Sequence, residues 1–363
     1  MMQDNLFEKM EPKPKVIGTG LVALDIIING DIKCNPQLRA GGSCGNVLTI
    51  LSYLGWESYP IARFGGEETA KRIIDDIQEW GVKTSLITQN NSGSTPIIVE
   101  KIKKKRNGEP VHRFFWKCPC CGSFLPRYQP VLVKDTPSII KKMPTASVFY
   151  FDRVSRSSIE LAKESKKRGS LVFFEPCGIK DTKQFLECLE VSDIVKYSHE
   201  NGIHAQKILQ KVDIPLEIKT LGADGLRFCF RENESKKAKW GHMQAYRVRG
   251  LKDTAGAGDW CSAGIIHLLG RGGAKSFETI DENAIKEALR FGQALAAISC
   301  QFEGPRGIMY RISKTMFQAL VRDLGNKGRA LESIEEKIPE RGTPKMVCFC
   351  PDCHKHLTNS KDS

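Results

Sequence analysis

Residues Asp253 to Asp259 read D-T-A-G-A-G-D and run straight into the apolar stretch Trp260 to Leu269. That pattern is a glycine-rich turn opening a helix, with a carboxylate in the first helical turn. Peptide N–H groups at a helix start are unpaired and the macrodipole favours negative charge there, so residues 255–258 can bring bare backbone against a phosphate. Asp259 would then face whatever hydroxyl attacks that phosphate. The plainer reading is that Gly256 and Gly258 allow a tight turn and Asp259 is a capping carboxylate.

A second constellation is made of cysteines. Cys118 with Cys121, and Cys350 with Cys353, each give C-x-x-C, the spacing at which a tight turn points two thiolates at one tetrahedral metal. Two such pairs predict a four-cysteine zinc site joining residues 117–123 to 347–356. With no open coordination position, that zinc would be structural. Cys120, Cys348, His354 and His356 are spare potential ligands. Separate loops of reduced thiols, or a redox pair, are the competing readings.

The chain has 363 residues, 13 cysteines and a formal charge of +13. Its length suits one large domain or two smaller ones. The charge asks for an acidic partner, whether nucleic acid, an anionic surface or phosphorylated substrates. Met1 to Lys15 has no apolar core, and no apolar run approaches the roughly 18 residues of a membrane span. A cytoplasmic protein without membrane contact is expected, in which an odd cysteine count favours thiol or metal chemistry over a disulfide framework.

These residues need elements to hold them. Val16 to Ile28 reads as one buried strand interrupted by Asp25, a charge that needs a reason. Gly41-Gly42 leads into a helix that stops at Gly55, and Glu67 to Trp80 repeats the plan with Gly81 as its stop. From Ser147 onward, strands at 148–151, 171–174 and 194–197 alternate with helices at 157–168 and around 185–189. That βαβ rhythm predicts an α/β three-layer fold, α/β/α, with a mostly parallel central sheet. Strands at 214–221 and 226–230 flank the turn Gly222 to Gly225, and three helices begin near Ala257, Glu282 and Ser313. Thr95 to Trp116 reads as two strands joined by a charged turn, projecting as a flap.

Asp253 to Ile266 resembles the second signature of the ribokinase/PfkB carbohydrate kinase family, and Gly41, Gly42, Asn46, Gly55 and Gly65 resemble its first. Leu48 departs from the small residue usual there, which bears on helix packing. The resemblance covers roughly Val16 to Phe317. It implies a ribokinase-like kinase domain over residues 15–320 with a small β lid from about 26–40 and 95–116, and linking segments at 1–14 and 324–346. In such relatives Asp25, Gly41, Gly42 and Asn46 would hold sugar hydroxyls, a carboxylate gripping a polyol through strong charge-assisted bonds. Thr220, Gly222, Gly225 and Thr254 would lie along ATP, and Gln293 stands where relatives often place asparagine by the adenine. Asp259 would be the general base and the amides of 255–258 the anion hole of an in-line transfer from ATP to a hydroxyl of a sugar or sugar-containing compound. Mg²⁺ would bridge the phosphates. Relatives usually carry Asn-x-x-Glu where this chain has Ser198-His199-Glu200-Asn201, so Glu200 serves with a shift of one residue or Asn201 takes its place. Lids of this kind often pair between subunits, implying a homodimer.

Lys101, Lys103, Lys104, Lys105 and Arg106 on the flap, followed by Arg113, Phe114, Phe115, Trp116 and Lys117, admit three readings. They form a solvated edge, a lure for an anionic small substrate, or a nucleic-acid surface. The last supports a competing class: a degenerate kinase fold acting as a zinc-containing nucleic-acid or protein binding module.

Overall fold

The computed structural model describes residues 7, 11–30, 36–90, 93–104, 110–200, 207–231, 239–327, 350 and 352–353. Asn201, Lys105, Arg106, Cys348, His354, His356 and the side chain of Lys104 lie outside them. In chain order the first half contains β1 (Lys15–Thr19), β2 (Ala23–Asn29), β3 (Gln37–Gly41), α1 (Ser43–Tyr53), β4 (Glu57–Phe64), α2 (Glu68–Glu79), β5 (Ile87–Gln89), β6 (Ile97–Lys104), β7 (Pro110–Phe115) and α3 (Thr136–Lys142). The second half contains β8 (Val148–Phe151), α4 (Arg156–Lys167), β9 (Leu171–Phe174), α5 (Thr182–Val191), β10 (Ile194–Ser198), β11 (Leu216–Thr220), β12 (Leu226–Phe230), β13 (Trp240–Met243), α6 (Ala257–Leu269), α7 (Gly273–Phe277), α8 (Glu282–Ser299), α9 (Gly307–Arg311) and α10 (Lys314–Lys327).

Nine strands form the main sheet in the order β13-β12-β11-β10-β9-β8-β1-β4-β5, parallel from β11 to β5, with β12 and β13 antiparallel at one edge. Parallel strands covered on both faces must be apolar throughout, and β8 (VFYF) and β9 (LVFF) are fully buried. Alternate residues feed two cores. Val16, Tyr150 and Phe173 pack with Val47, Trp260, Leu289 and Phe317 from α1, α6, α8 and α10. Ile17, Phe149, Phe151 and Phe174 pack with Ile139, Leu161 and Phe185 from α3, α4 and α5. Leu48 rests against Gly18, where an added Cβ would lie 3.1 Å from its methyl group, so a bare position in β1 makes room for the larger side chain on α1.

A second sheet of four strands, β3-β2-β6-β7, forms the lid. The expected single strand from Val16 to Ile28 is corrected here: it is two strands in two different sheets. The chain turns at Gly20 (φ 145°), where the space a Cβ would take is filled by the Asp152 carboxylate. The last helix, α10, extends to Lys327. Among the described residues no helix is long and apolar enough to cross a membrane.

Candidate functional site

Ligands of open α/β sheets bind beyond the carboxyl ends of the parallel strands. Asp152 follows β8 there, Glu175 follows β9, and α6 begins with the glycine turn. Gly256 caps α6 in the left-handed region (φ 75°), and a Cβ on it would lie 2.5 Å from the Cα of Pro305, so only glycine fits. Trp260 Nε1 donates to Pro305 O at 3.0 Å and fixes the same approach from below. Of the four amides expected to face an anion, that of Ala255 donates to Asp253 Oδ1 at 3.0 Å and that of Ala257 to Thr254 O at 3.3 Å. Those two amides are taken up within the turn itself.

Asp259 stands in the first turn of α6, half-buried. Asn46 on α1 donates to its Oδ2 at 2.8 Å. Burial, and then the negative charge of Glu175, push its carboxyl up to about 8. Glu175 accepts from Lys196 Nζ, from Tyr150 OH at 3.1 Å and from Ser262 Oγ. Lys196 sits on β10 and is 1% exposed. Its Nζ would lie 3.8 Å from a Cβ on Gly258, so a fixed cation underlies the glycine turn.

Asp25 on β2 lies beside Gly41 and Gly42. A Cβ on Gly41 would collide with its carboxylate, and one on Gly42 (φ 78°) would reach Leu21 O at 2.5 Å. Burial raises the Asp25 carboxyl to about 7, against the lowering effect of Arg306. Arg306 is itself buried and donates to Asp76 Oδ1 at 2.8 Å. Asp152 accepts from Leu21 N at 2.9 Å and Cys44 N at 3.1 Å, tying β8 to the turn after Gly20 and to the start of α1.

The lid touches the glycine turn directly. Glu100 on β6 is fully buried and is pushed up to about 10 by burial and by the neighbouring Asp253. His112 on β7 lies 3.4 Å from Asp253 Oδ1 and 3.1 Å from Thr254 Oγ1. Asp253 is held below its usual range despite burial, because His112, the amides of Ala255 and Gly304, and Glu100 all favour its charged form. Glu100, His112 and Asp253 bring a carboxylate oxygen, a ring nitrogen and a second carboxylate oxygen within 4.8 Å of one another, so the lid closes onto the turn at this point. Thr254, expected along the nucleotide, here bonds the lid histidine through its hydroxyl.

On the far side, β11 ends at Thr220, whose Oγ1 donates to Tyr197 O at 3.4 Å. The turn that follows has Gly222 at φ 62° and Gly225 at φ 89°, and a Cβ on Gly225 would sit 2.0 Å from Met243 O. Gln293 on α8 is buried, and its Oε1 has no hydrogen-bond partner. Glu200 is exposed just past β10.

Residues 160–309 match the profile of the pfkB family carbohydrate kinases. A probable fructokinase-5 of Arabidopsis thaliana is 25% identical over 289 residues, spanning 73% of this chain and 83% of that protein. Ketohexokinase of Mus musculus is 22% identical, spanning 83% of this chain and all of the other. The solved structure of fructokinase with bound ATP from Xylella fastidiosa superposes with a TM-score of 0.65 at 17% identity, covering 86% of this chain and 99% of that one. The fold is ribokinase-like. The profile and the two relatives support the PfkB carbohydrate kinase family for the chain.

Within this ribokinase-like frame, sequence reasoning missed Asp152, Glu175, Lys196, Glu100 and His112. Lys196 carried a usable signal, since it is the only charge inside the apolar run Ile194 to Tyr197. The four cysteines converge as expected from spacing. Cys118 Sγ is 3.7 Å from Cys353 Sγ and Cys121 Sγ is 3.6 Å from Cys350 Sγ, with all four sulfurs within 4.8 Å of one another. Zinc–thiolate bonds of about 2.3 Å in a tetrahedron put sulfurs about 3.8 Å apart, so the set has the size for that ion. Gly122 (φ 77°) makes the tight turn after Cys121, whose thiol is lowered to about 6 by Ser123 beside it.

Proposed function

We propose that the chain is an ATP-dependent kinase that phosphorylates a hydroxyl of a sugar or sugar-containing small molecule. The observation that carries this is the Asn46-held carboxylate of Asp259 in the first turn of a helix opened by Gly256 and Gly258. The names of the relatives agree with it: fructokinase and ketohexokinase act on ketose sugars.

Asp25 and the strand-turn residues Gly41 and Gly42 orient the acceptor so that one hydroxyl meets Asp259. Asp259 removes its proton as the oxygen attacks the γ-phosphorus in line, the bond to the β-bridging oxygen breaks, and ADP leaves. The amides of Gly256 and Gly258, with Lys196 beneath them, face the charge on the transferring group. The turn Thr220 to Gly225 and Gln293 hold the nucleotide. Glu200, exposed past β10, would help hold a magnesium ion at the phosphates. When bound, that ion neutralises phosphate charge. The four cysteines hold a structural zinc that ties the C-terminal segment to the base of the lid.

An ATP-consumption assay of zinc-replete protein across sugars, nucleosides and their phosphates tests this. ADP release that depends on one acceptor class is expected. ATP binding without release for any acceptor would favour a binding protein built on the same fold.

A further inference from the structure

A cavity of about 1020 Å³ opens between the lid and the ends of β8 and β9. It exceeds the roughly 300–1,000 Å³ of ordinary small-molecule sites and is far larger than one monosaccharide requires. The cavity adjoins the acceptor side of the active site through two residues. Asp152, which braces the start of α1, is in its wall. So is Ile98, the direct cross-strand partner of Asp25.

The opposite side of the wall is polar, with Arg153, Lys180 and Asp181, while the lid side carries exposed aromatic rings that a packed core does not need. Phe114, Phe115, Trp116 and Phe124 line it and are 41%, 37%, 50% and 64% exposed, while Val133 and Trp240 are the only other exposed large apolar side chains among the described residues. Phe114 pairs with Glu100, and Glu100 and Ile98 alternate on one face of β6. Phe114 therefore projects from the same lid face as Asp25, toward the acceptor. Arg127 and Lys117 flank the Phe124 ring at 5.1 Å and 4.9 Å. Cys118 and Cys121 fall between Trp116 and Phe124, and the two stretches of this wall are joined by the Lys117–Phe124 bridge and by Leu125 N donating to Trp116 O at 3.0 Å.

We infer that the acceptor is a sugar bearing an aromatic or heterocyclic ring, with the ring stacked in this cavity against Phe114 and Trp116 while the sugar reaches Asp25 and Asp259. A bare hexose or pentose leaves these faces wet, whereas a stacked ring covers them. The inference rests on the kinase reading for the placement of the sugar. Its test measures binding, so a failure of phosphoryl transfer shows up separately.

Binding of adenosine and of 4-nitrophenyl β-D-ribofuranoside is compared with that of free ribose by calorimetry on the full, zinc-replete chain. The expected result is at least about 10-fold tighter binding of one ring-bearing riboside than of ribose, the size of one stacking contact. Adenosine preferred over the nitrophenyl compound points to a nucleoside, and the reverse to an aryl glycoside. Trp116→Ala and, separately, Phe114→Ala should each remove most of that preference with the melting temperature and ATP binding preserved. Equal binding of ribose and both ribosides, no binding of either riboside, or a preference that survives both substitutions would overturn the inference. So would a dimer that dissociates on Trp116→Ala without any ring preference, since a second copy would then cover the wall.

Discussion

Asn46 and Asp259 stand 213 positions apart, yet the Asn46 amide donates to the Asp259 carboxylate at 2.8 Å. One signature segment thereby orients the reactive group of the other. Asn46→Ala should lower kcat about 10-fold at neutral pH and move the acid limb of the pH profile upward by about one unit, because the lost bond favoured the charged acid. An unchanged profile would remove Asn46 from any role at Asp259.

Asp259 must be ionised to act as a base, and burial with Glu175 nearby raises it to about 8. In the free enzyme kcat/KM should therefore climb with pH and level off above about 8. Glu175→Gln should shift that limb down, and Lys196→Met should shift it up. A profile flat from pH 6 to 9 would contradict the assignment of the base.

The same shift has a stability consequence of definite sign. Folded Asp259 holds a proton between about pH 4 and 8 that the unfolded chain has lost, so its contribution to stability falls as pH rises through that window. Asp259→Asn removes this penalty and should raise the melting temperature at pH 8 by about 2–4 °C, with a smaller gain at pH 5. Thermal melts at both values check it.

The sulfur spacing of 3.6–3.7 Å across the cysteine pairs predicts close to one zinc per chain in protein purified under reducing conditions. Cys350→Ser should lower zinc content and free the C-terminal segment to protease. Elemental analysis of the reduced protein without zinc would contradict a metal centre.

Much of the architecture was legible because its physics is local. Buried parallel strands such as Leu171–Phe174 have to be continuous apolar runs, and helix starts carry caps such as Asp281, which accepts from Ala284 N. The turn at Gly256 showed itself because no side chain fits there. Strand β4 was invisible, since Pro60 argues against a strand; it pairs with Gly18 of β1 on one side, while the short β5 pairs only with residues 62–64 on the other. The split of Val16 to Ile28 depended on Asp152, more than a hundred residues away, filling the space beside Gly20. Glu100 and His112 read as ordinary flap residues, because nothing in β6 or β7 announces that Asp253 will meet them. Four C-x-x-C cysteines, by contrast, announced their own convergence.

The most direct test of the central claim is a single-turnover experiment with γ-³²P-labelled ATP, an acceptor found by the panel assay, and wild-type protein beside Asp259→Asn. The expected result is label on the acceptor and none on the protein, with transfer slowed about 10²–10⁴-fold in the variant while ATP affinity stays within about threefold. Equal transfer by both proteins, or label retained on the chain, would contradict Asp259 as the base of a direct in-line transfer.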